Sequence, residues 1–320
     1  MYLLKKNKMA KNITNPSWNT NSESLQQKIW YKIDEILKVV REEKTATSLE
    51  EVISVIGDPL GEDDKALVTR STSFEHEVAT GKRIGVTIWN KWGYNPDIDT
   101  AAEEVIASFG GTYTPPTSPT TLTLSSSSGN DTSLGGGGTG ARTILITGID
   151  ANRNIQTQTI SLQGVTPVVT TTTWLGINRI EVISSGSGQV NAGGIGVFAV
   201  SGGAALGYVP EGEGLSQEAI FHVPANHTFI ATWLIINAAR TNGQGSSPII
   251  TVRGYVFNPS TNTKYLVVRK RLDTSVAIEV ELTPSEPFVI TEGGVLYFTA
   301  TTDKDNTVVD VRFSGKLQVN

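Results

Sequence analysis

From position 141 to position 320 the chain is broken every few residues by Gly, Asn, Asp, Pro or Ser, and the stretches between alternate apolar with polar side chains. Successive side chains of a strand point to opposite faces, so this period of two marks strands with one buried face. Segments 143–147, 156–162, 178–183, 194–200, 219–223, 228–237, 249–257, 264–272, 277–282, 295–301 and 308–317 all qualify. Strands this short, evenly spaced and almost free of helical pattern predict an antiparallel β-sandwich or jelly roll. They divide into a small β-rich region at 141–205 and a β-sandwich at 206–320. The chain as a whole is expected to be mainly β, with a smaller α+β part before it.

The N-terminal third follows other periods. Residues 1–20 are polar and rich in Asn, Lys and Thr, the composition of a flexible arm. Then Leu25, Ile29, Ile33, Ile36 and Val40 recur at spacings of four, four, three and four, one apolar stripe on a helix over about 22–43. Ser22 stands at the N-cap position, and Glu42, Glu43 and Lys44 form a polar exit. The stripe either lies on the subunit's own domain or packs against copies of itself, and these five residues are the candidate oligomer or attachment interface. A second helix is predicted at 49–56, where Ser48 and Glu51 have capping-box spacing and Gly57 ends the pattern. Residues 83–89 read as a strand after the turn at Thr80-Gly81, and 101–109 as a short helix closed by Gly110-Gly111. Residues 21–111 would thus be an α+β attachment domain. Residues 112–140, with their Thr/Pro run, four serines and four glycines, read as a linker or long surface loop in which Leu122 and Leu124 could form one strand.

Composition excludes several functions. Cysteine is absent, which removes disulfides, thiol nucleophiles and sulfur-ligated zinc. The net charge of −5 argues against coating a nucleic acid, and Lys5, Lys6, Lys8 and Lys11 make only a small basic terminus. No apolar run approaches the roughly 18 residues of a membrane span, and no apolar stretch follows the N-terminal lysines as in a secretory signal. Translation from Met9 instead of Met1 is compatible with the sequence.

Motifs for chemistry are sparse, and no cofactor or metal site is expected. Gly135 to Gly140 and Gly186-Ser187-Gly188-Gln189 lie between strands and lack the Lys-Ser/Thr of a phosphate loop. His222 and His227 flank Val223-Pro224-Ala225-Asn226 without an evident third ligand, which suits a strand end and a turn. No Gly-x-Ser-x-Gly elbow occurs. Glycosidase carboxylates face each other at about 5–10 Å; Glu211, Glu213 and Glu218, or Asp303, Asp305 and Asp310, are the candidates, but all fall in polar loops or strand ends. Catalysis is therefore not expected. Trp89 and Trp92, three apart, are possible glycan contacts, because flat aromatic rings stack on sugar faces, although core packing explains them too. Trp233, in an apolar strand, is read as core.

One series of residues is specific. Asp131-Thr132-Ser133, Thr139-Gly140-Ala141-Arg142, Gly148-Ile149-Asp150, Leu162-Gln163-Gly164-Val165-Thr166-Pro167-Val168, Asn178-Arg179 and Asn191-Ala192-Gly193 together resemble a family of tailed-bacteriophage virion proteins common in marine phages. The resemblance extends from Gly93-Tyr94-Asn95-Pro96-Asp97 to Val223-Pro224-Ala225 and on through the C-terminal sandwich. Two departures, the four-glycine insertion before Thr139 and Gln163-Gly164-Val165-Thr166 for the usual Asn-Gly-Thr-Thr, fall in loops. The resemblance implies a non-enzymatic structural component of a phage particle, in the virion after assembly in the bacterial host cytoplasm. Its partners would be other particle proteins and, as an alternative, a host surface glycan through a receptor- or carbohydrate-binding fibre module.

The helical stripe carries a prediction of assembly. A lone helix of about 20 residues is marginal in water, and a seam this rich in Ile favours more than two strands. A homotrimer is expected by native mass measurement, and an Ile29→Asp, Ile33→Asp double variant should dissociate it. A trimer indifferent to both charges would remove the helix from the interface.

Overall fold

A computed structural model of the protein describes residues 31–34 and 74–320, apart from 137, 201, 202, 204, 241–246, 276–278 and 283–287. The chain divides into two compact units, Met1–Ser73 and Phe74–Asn320. In the first, residues 31–34 are helical and leave Tyr31 and Ile33 exposed. The other stripe residues, Leu25, Ile29, Ile36 and Val40, and the helix expected at 49–56, lie outside the described residues.

The second unit is mainly β, and every pairing of its named strands is antiparallel. A short helix α1 (Phe74–Ala79) precedes β1 (Val86–Ile98) and β2 (Glu104–Val105). Seven strands follow: β3 (Leu122–Ser126), β4 (Ala141–Ile149), β5 (Ile155–Ser161), β6 (Val168–Val169), β7 (Gly176–Ser185), β8 (Ile195–Ala199) and β9 (Ala205–Val209). Then come β10 (Ile220–His222), β11 (His227–Arg240), β12 (Ile249–Asn258), β13 (Thr263–Asp273), β14 (Glu279–Leu282), β15 (Phe288–Ile290), β16 (Val295–Thr302) and β17 (Thr307–Val319).

Two sheets form the larger sandwich. One has the order β1-β17-β11-β14, with β15 also on β11; the other has β10-β16-β12-β13, with β2 on β16. Take β1, β10, β11, β12, β13, β14, β16 and β17 as a wrap of eight in chain order. The sheets then run 1-8-3-6 and 2-7-4-5, which is a jelly roll. Strands β3 to β9 form a second, smaller sandwich of sheets β6-β3-β8-β9 and β5-β4-β7, inserted between the first and second strands of the wrap.

Alternation explains which face each strand buries. In β17, Val309, Val311, Phe313 and Leu317 point into the jelly roll, where Phe313 lies 5.3 Å from Phe298 and Phe221 lies 4.7 Å from Phe229, ring centre to ring centre. Gly315 keeps this period because a side chain there would stand 2.4 Å from the Phe229 ring. The insert has its own core of Leu122, Leu124, Ile144, Ile146, Leu162, Trp174, Ile195 and Val197.

The structure departs from the sequence expectations at several points. Residues 112–140 do not form a free linker: the strand allowed at Leu122 and Leu124 is present as β3 and pairs with β8 inside the insert, and Leu122, Leu124, Ser126 and Asp131 are buried. The serines there serve as hydrogen-bonding groups of a packed sandwich. Residues 101–109 are not helical; Val105, Ile106 and Ala107 are all fully buried, covered on both sides, and β2 adds to β16. The strand expected at 83–89 begins at Val86 and runs on to Ile98, while Arg83 turns back to Glu77 at 2.8 Å. β1 therefore belongs to the C-terminal wrap and not to a separate domain at 21–111, and β9 joins the insert across the expected boundary at 205–206.

A fragment of residues 141–320 lacks β1, β2 and β3, so it is expected to be insoluble or to unfold without a cooperative transition, whereas the full chain unfolds cooperatively. Phe313→Ala in the full chain should cost about 3–5 kcal/mol by urea denaturation.

Candidate functional site

The two sandwiches meet along the edge of β1 through a buried polar cluster. Lys91 donates from Nζ to the Asn178 carbonyl at 2.5 Å and pairs with Glu218 at 3.8 Å, both side chains being almost wholly buried. The Asn178 side chain clamps β10: its Nδ2 donates to the His222 carbonyl at 2.9 Å, and its Oδ1 accepts from the His222 amide at 2.7 Å. His222 Nε2 meets the Tyr113 hydroxyl at 3.0 Å, and Glu218 accepts from the Tyr208 amide at 3.0 Å. A side chain at Gly176 would stand 2.3 Å from the His222 ring, so β7 lies directly on it.

Burial sets the charges here. It lowers Lys91 to about 8, with Glu218 opposing and Arg179 reinforcing the shift. It raises Glu218 against the pull of Lys91, and lowers His222 to about 3, with Lys91 adding to the effect. The imidazole is neutral and walled in. Removing one partner of such a pair strands a buried charge, so the cluster fixes how the sandwiches dock more than it adds net stability.

A second buried centre is built from the motif series. Asp131 Oδ1 accepts from the Ala141 amide at 2.6 Å and the Ala192 amide at 2.7 Å; Oδ2 accepts from Gly193 at 2.9 Å and from the Ser126 hydroxyl at 2.6 Å. Gly140 must be glycine, because a Cβ would fall 2.1 Å from Asp131 Oδ1. Asn191 ties the neighbouring loop, donating to Pro210 and Gly193 and accepting from the Gly214 amide. A carboxylate that accepts this many donors is a structural anchor.

The third feature is open to solvent. On the outer face of the first sheet, Trp92 stands opposite Arg312, and Asn90 opposite Ser314, which in turn stands opposite Trp233. Arg312 lies 5.2 Å from the centre of the Trp92 ring. Arg179 and residues 215–216, bridged to β7 through Leu215 and Glu181, form a wall beside them, enclosing a cavity of about 400 Å³ lined by Trp92, Trp233, Arg179, Arg312, Asn90 and Leu215 among others. Farther along the same face, Tyr94, Asn237, Glu279 and Asp310 line a second hollow of about 280 Å³. Asp310 reaches Arg312 at 3.5 Å, and its burial raises its pKa while Arg312 opposes the rise.

The candidates from the sequence fall apart by position. Trp92 faces this groove. Trp89 lies on the opposite face of β1, packed 5.1 Å from Phe221 with Arg179 5.5 Å from its ring centre. Trp233 is not core: a bulge between Ala231 and Trp233 reverses the alternation of β11, so Leu234 turns inward and Trp233 outward, donating to Glu281 at 2.6 Å. Only the bulge, invisible in the apolar pattern, separates the two outcomes. His227 bonds the Ala225 carbonyl in its turn, apart from the His222 cluster. Glu211 and Glu213 are exposed, while Asp303 and Asp305 cap the Ile249 and Thr100 amides. Among the described residues no group of three or more His, Asp or Glu has metal-binding geometry. No described helix is long and apolar enough to cross a membrane.

No protein family matches the sequence, and no curated protein matches it. Among solved structures the chain is similar to the VP2 subviral particle of infectious bursal disease virus, at 9% identity over 73% of this chain and 72% of that one, with a TM-score of 0.20. The Gx strain of the same virus gives 10% identity over 73% of each chain and a TM-score of 0.20. Superpositions this loose carry no weight for fold or role; the jelly-roll order stands on the strand pairings alone.

Native His222 refuses a proton that the unfolded chain accepts between pH of about 6.5 and about 3. Its contribution is therefore present above 6.5 and is lost as the pH falls through that window, by roughly 4–5 kcal/mol at most. His222→Gln should be less stable at pH 7 but should lose less between pH 6.5 and 3, as read from urea midpoints at each pH.

Proposed function

We propose that this protein is a structural component of a tailed-bacteriophage particle, held through its N-terminal part and projecting its β-sandwiches. One observation carries the reading. Separate pieces of the motif series that resembles phage virion proteins, Asp131, Gly140-Ala141 and Asn191-Ala192-Gly193, converge on the Asp131 carboxylate. That distant pieces of the series share one physical anchor supports the reading. The jelly roll is consistent with this, since that wrap recurs in capsid and lectin domains, though this is analogy at the level of fold. In the proposed particle the chain is a homotrimer, is not an enzyme, and touches neither nucleic acid nor membrane; its partners are other particle proteins.

The cavity on the outer sheet favours a second reading, a receptor- or carbohydrate-binding fibre module, because two half-buried indoles and two guanidiniums lining one hollow suit a ligand with flat apolar faces. The two readings are compatible in one molecule. Gold-labelled antibody against the chain should decorate intact phage particles at a regular position, and the protein should remain with them through gradient purification. Recovery only in the unassembled fraction would refute the particle assignment.

A further inference from the structure

The groove beside β1 gathers cations from three strands, β1, β7 and β17. Among the described residues its lining holds Lys91, Arg179 and Arg312, in a chain of net charge −5; the nearest acids, Glu281 bonded to Trp233 and Asp310 beside Arg312, lie outside the lining. Lys91 is answered inside the protein by Glu218. Arg179 has no ion pair among the described residues; its guanidinium lies against the Trp89 ring. Arg312 is 53% exposed, and Asp310, its ion-pair partner among the described residues, sits at 3.5 Å, too long for a close bidentate pair. Two guanidiniums thus retain donors for a ligand, within a cavity of the size small-molecule sites occupy, about 300–1,000 Å³.

The aromatic groups add a second requirement. Trp92 and Trp233 stand on β1 and β11 with β17 between them and are offset by two residues along it, so their backbones are about 12 Å apart. Arg312 and Ser314 lie on the intervening strand. An occupant must offer an apolar face to an indole and a negative charge to the guanidiniums. We infer that this groove binds an acidic saccharide, a sugar ring bearing a carboxylate, with the ring against Trp92 and Trp233 and the carboxylate held by Arg312 and Arg179.

This inference rests on the carbohydrate-binding reading and is independent of the particle assignment. The purified full-length protein is titrated by calorimetry with tetragalacturonate and, separately, with maltotetraose, a neutral chain of equal length. Tetragalacturonate should bind at least tenfold more tightly and weaken as salt rises. Arg312→Gln, at an exposed position, should weaken it about tenfold, and Trp233→Ala by a similar factor, with unfolding midpoints near that of the unmodified protein. Equal binding of both sugars, or acidic binding unaffected by Arg312→Gln, would overturn the choice of an acidic ligand while leaving the carbohydrate reading intact. Absence of binding by either sugar would overturn both.

Discussion

The architecture depends on the pairing of β1 with β17. β17 has β1 on one side and β11 on the other along nearly its whole length. The first strand of the wrap therefore finds its place only against the last. Everything between must return to the same edge, including the inserted sandwich. This also explains how the chain accommodates such an insertion: β1 and β10 belong to different sheets of the jelly roll, so their connection has to leave one sheet and enter the other in any case.

Because the insert is tethered by a single excursion, its docking needs a device besides the connection. The Lys91, Asn178, Glu218 and His222 cluster supplies it, with one residue from β1, one from β7, one from the approach to β10 and one from β10 itself. Buried polar contacts of this type add little net free energy but punish any misplacement, since a shifted partner would leave a charge or an amide without water. The groove exists because of this docking: its wall is the Arg179 and Leu215 surface of the insert, its floor the outer face of the jelly roll.

Much of the fold was legible where side chains alternate. The strands expected at 143–147, 249–257 and 308–317 fall inside β4, β12 and β17, because one face of each is buried and the other is not. Legibility failed where both faces are covered or where small residues do the work. Val105, Ile106 and Ala107 are buried in succession, which erases the period, and Ser126 and Asp131 are polar residues inside a core, which composition alone assigns to a loop. For the groove, Trp92 could be picked out as an aromatic at an outward position. Arg179 and Arg312 could not, since they come from distant segments that only the docking of the two sandwiches brings together, and Trp233 was concealed by a bulge.

The same strand pair has a mechanical corollary. Val86 stands opposite Gln318, so the beginning of β1 and the end of β17 open at the same end of the ladder. Tension applied between those two points would unzip the sheet one hydrogen bond at a time, the weakest direction in which antiparallel strands can be loaded. A pull along β1 against the body of the molecule would instead shear all its bonds at once. Whatever anchors this chain can draw on that resistance by gripping only one of the two ends.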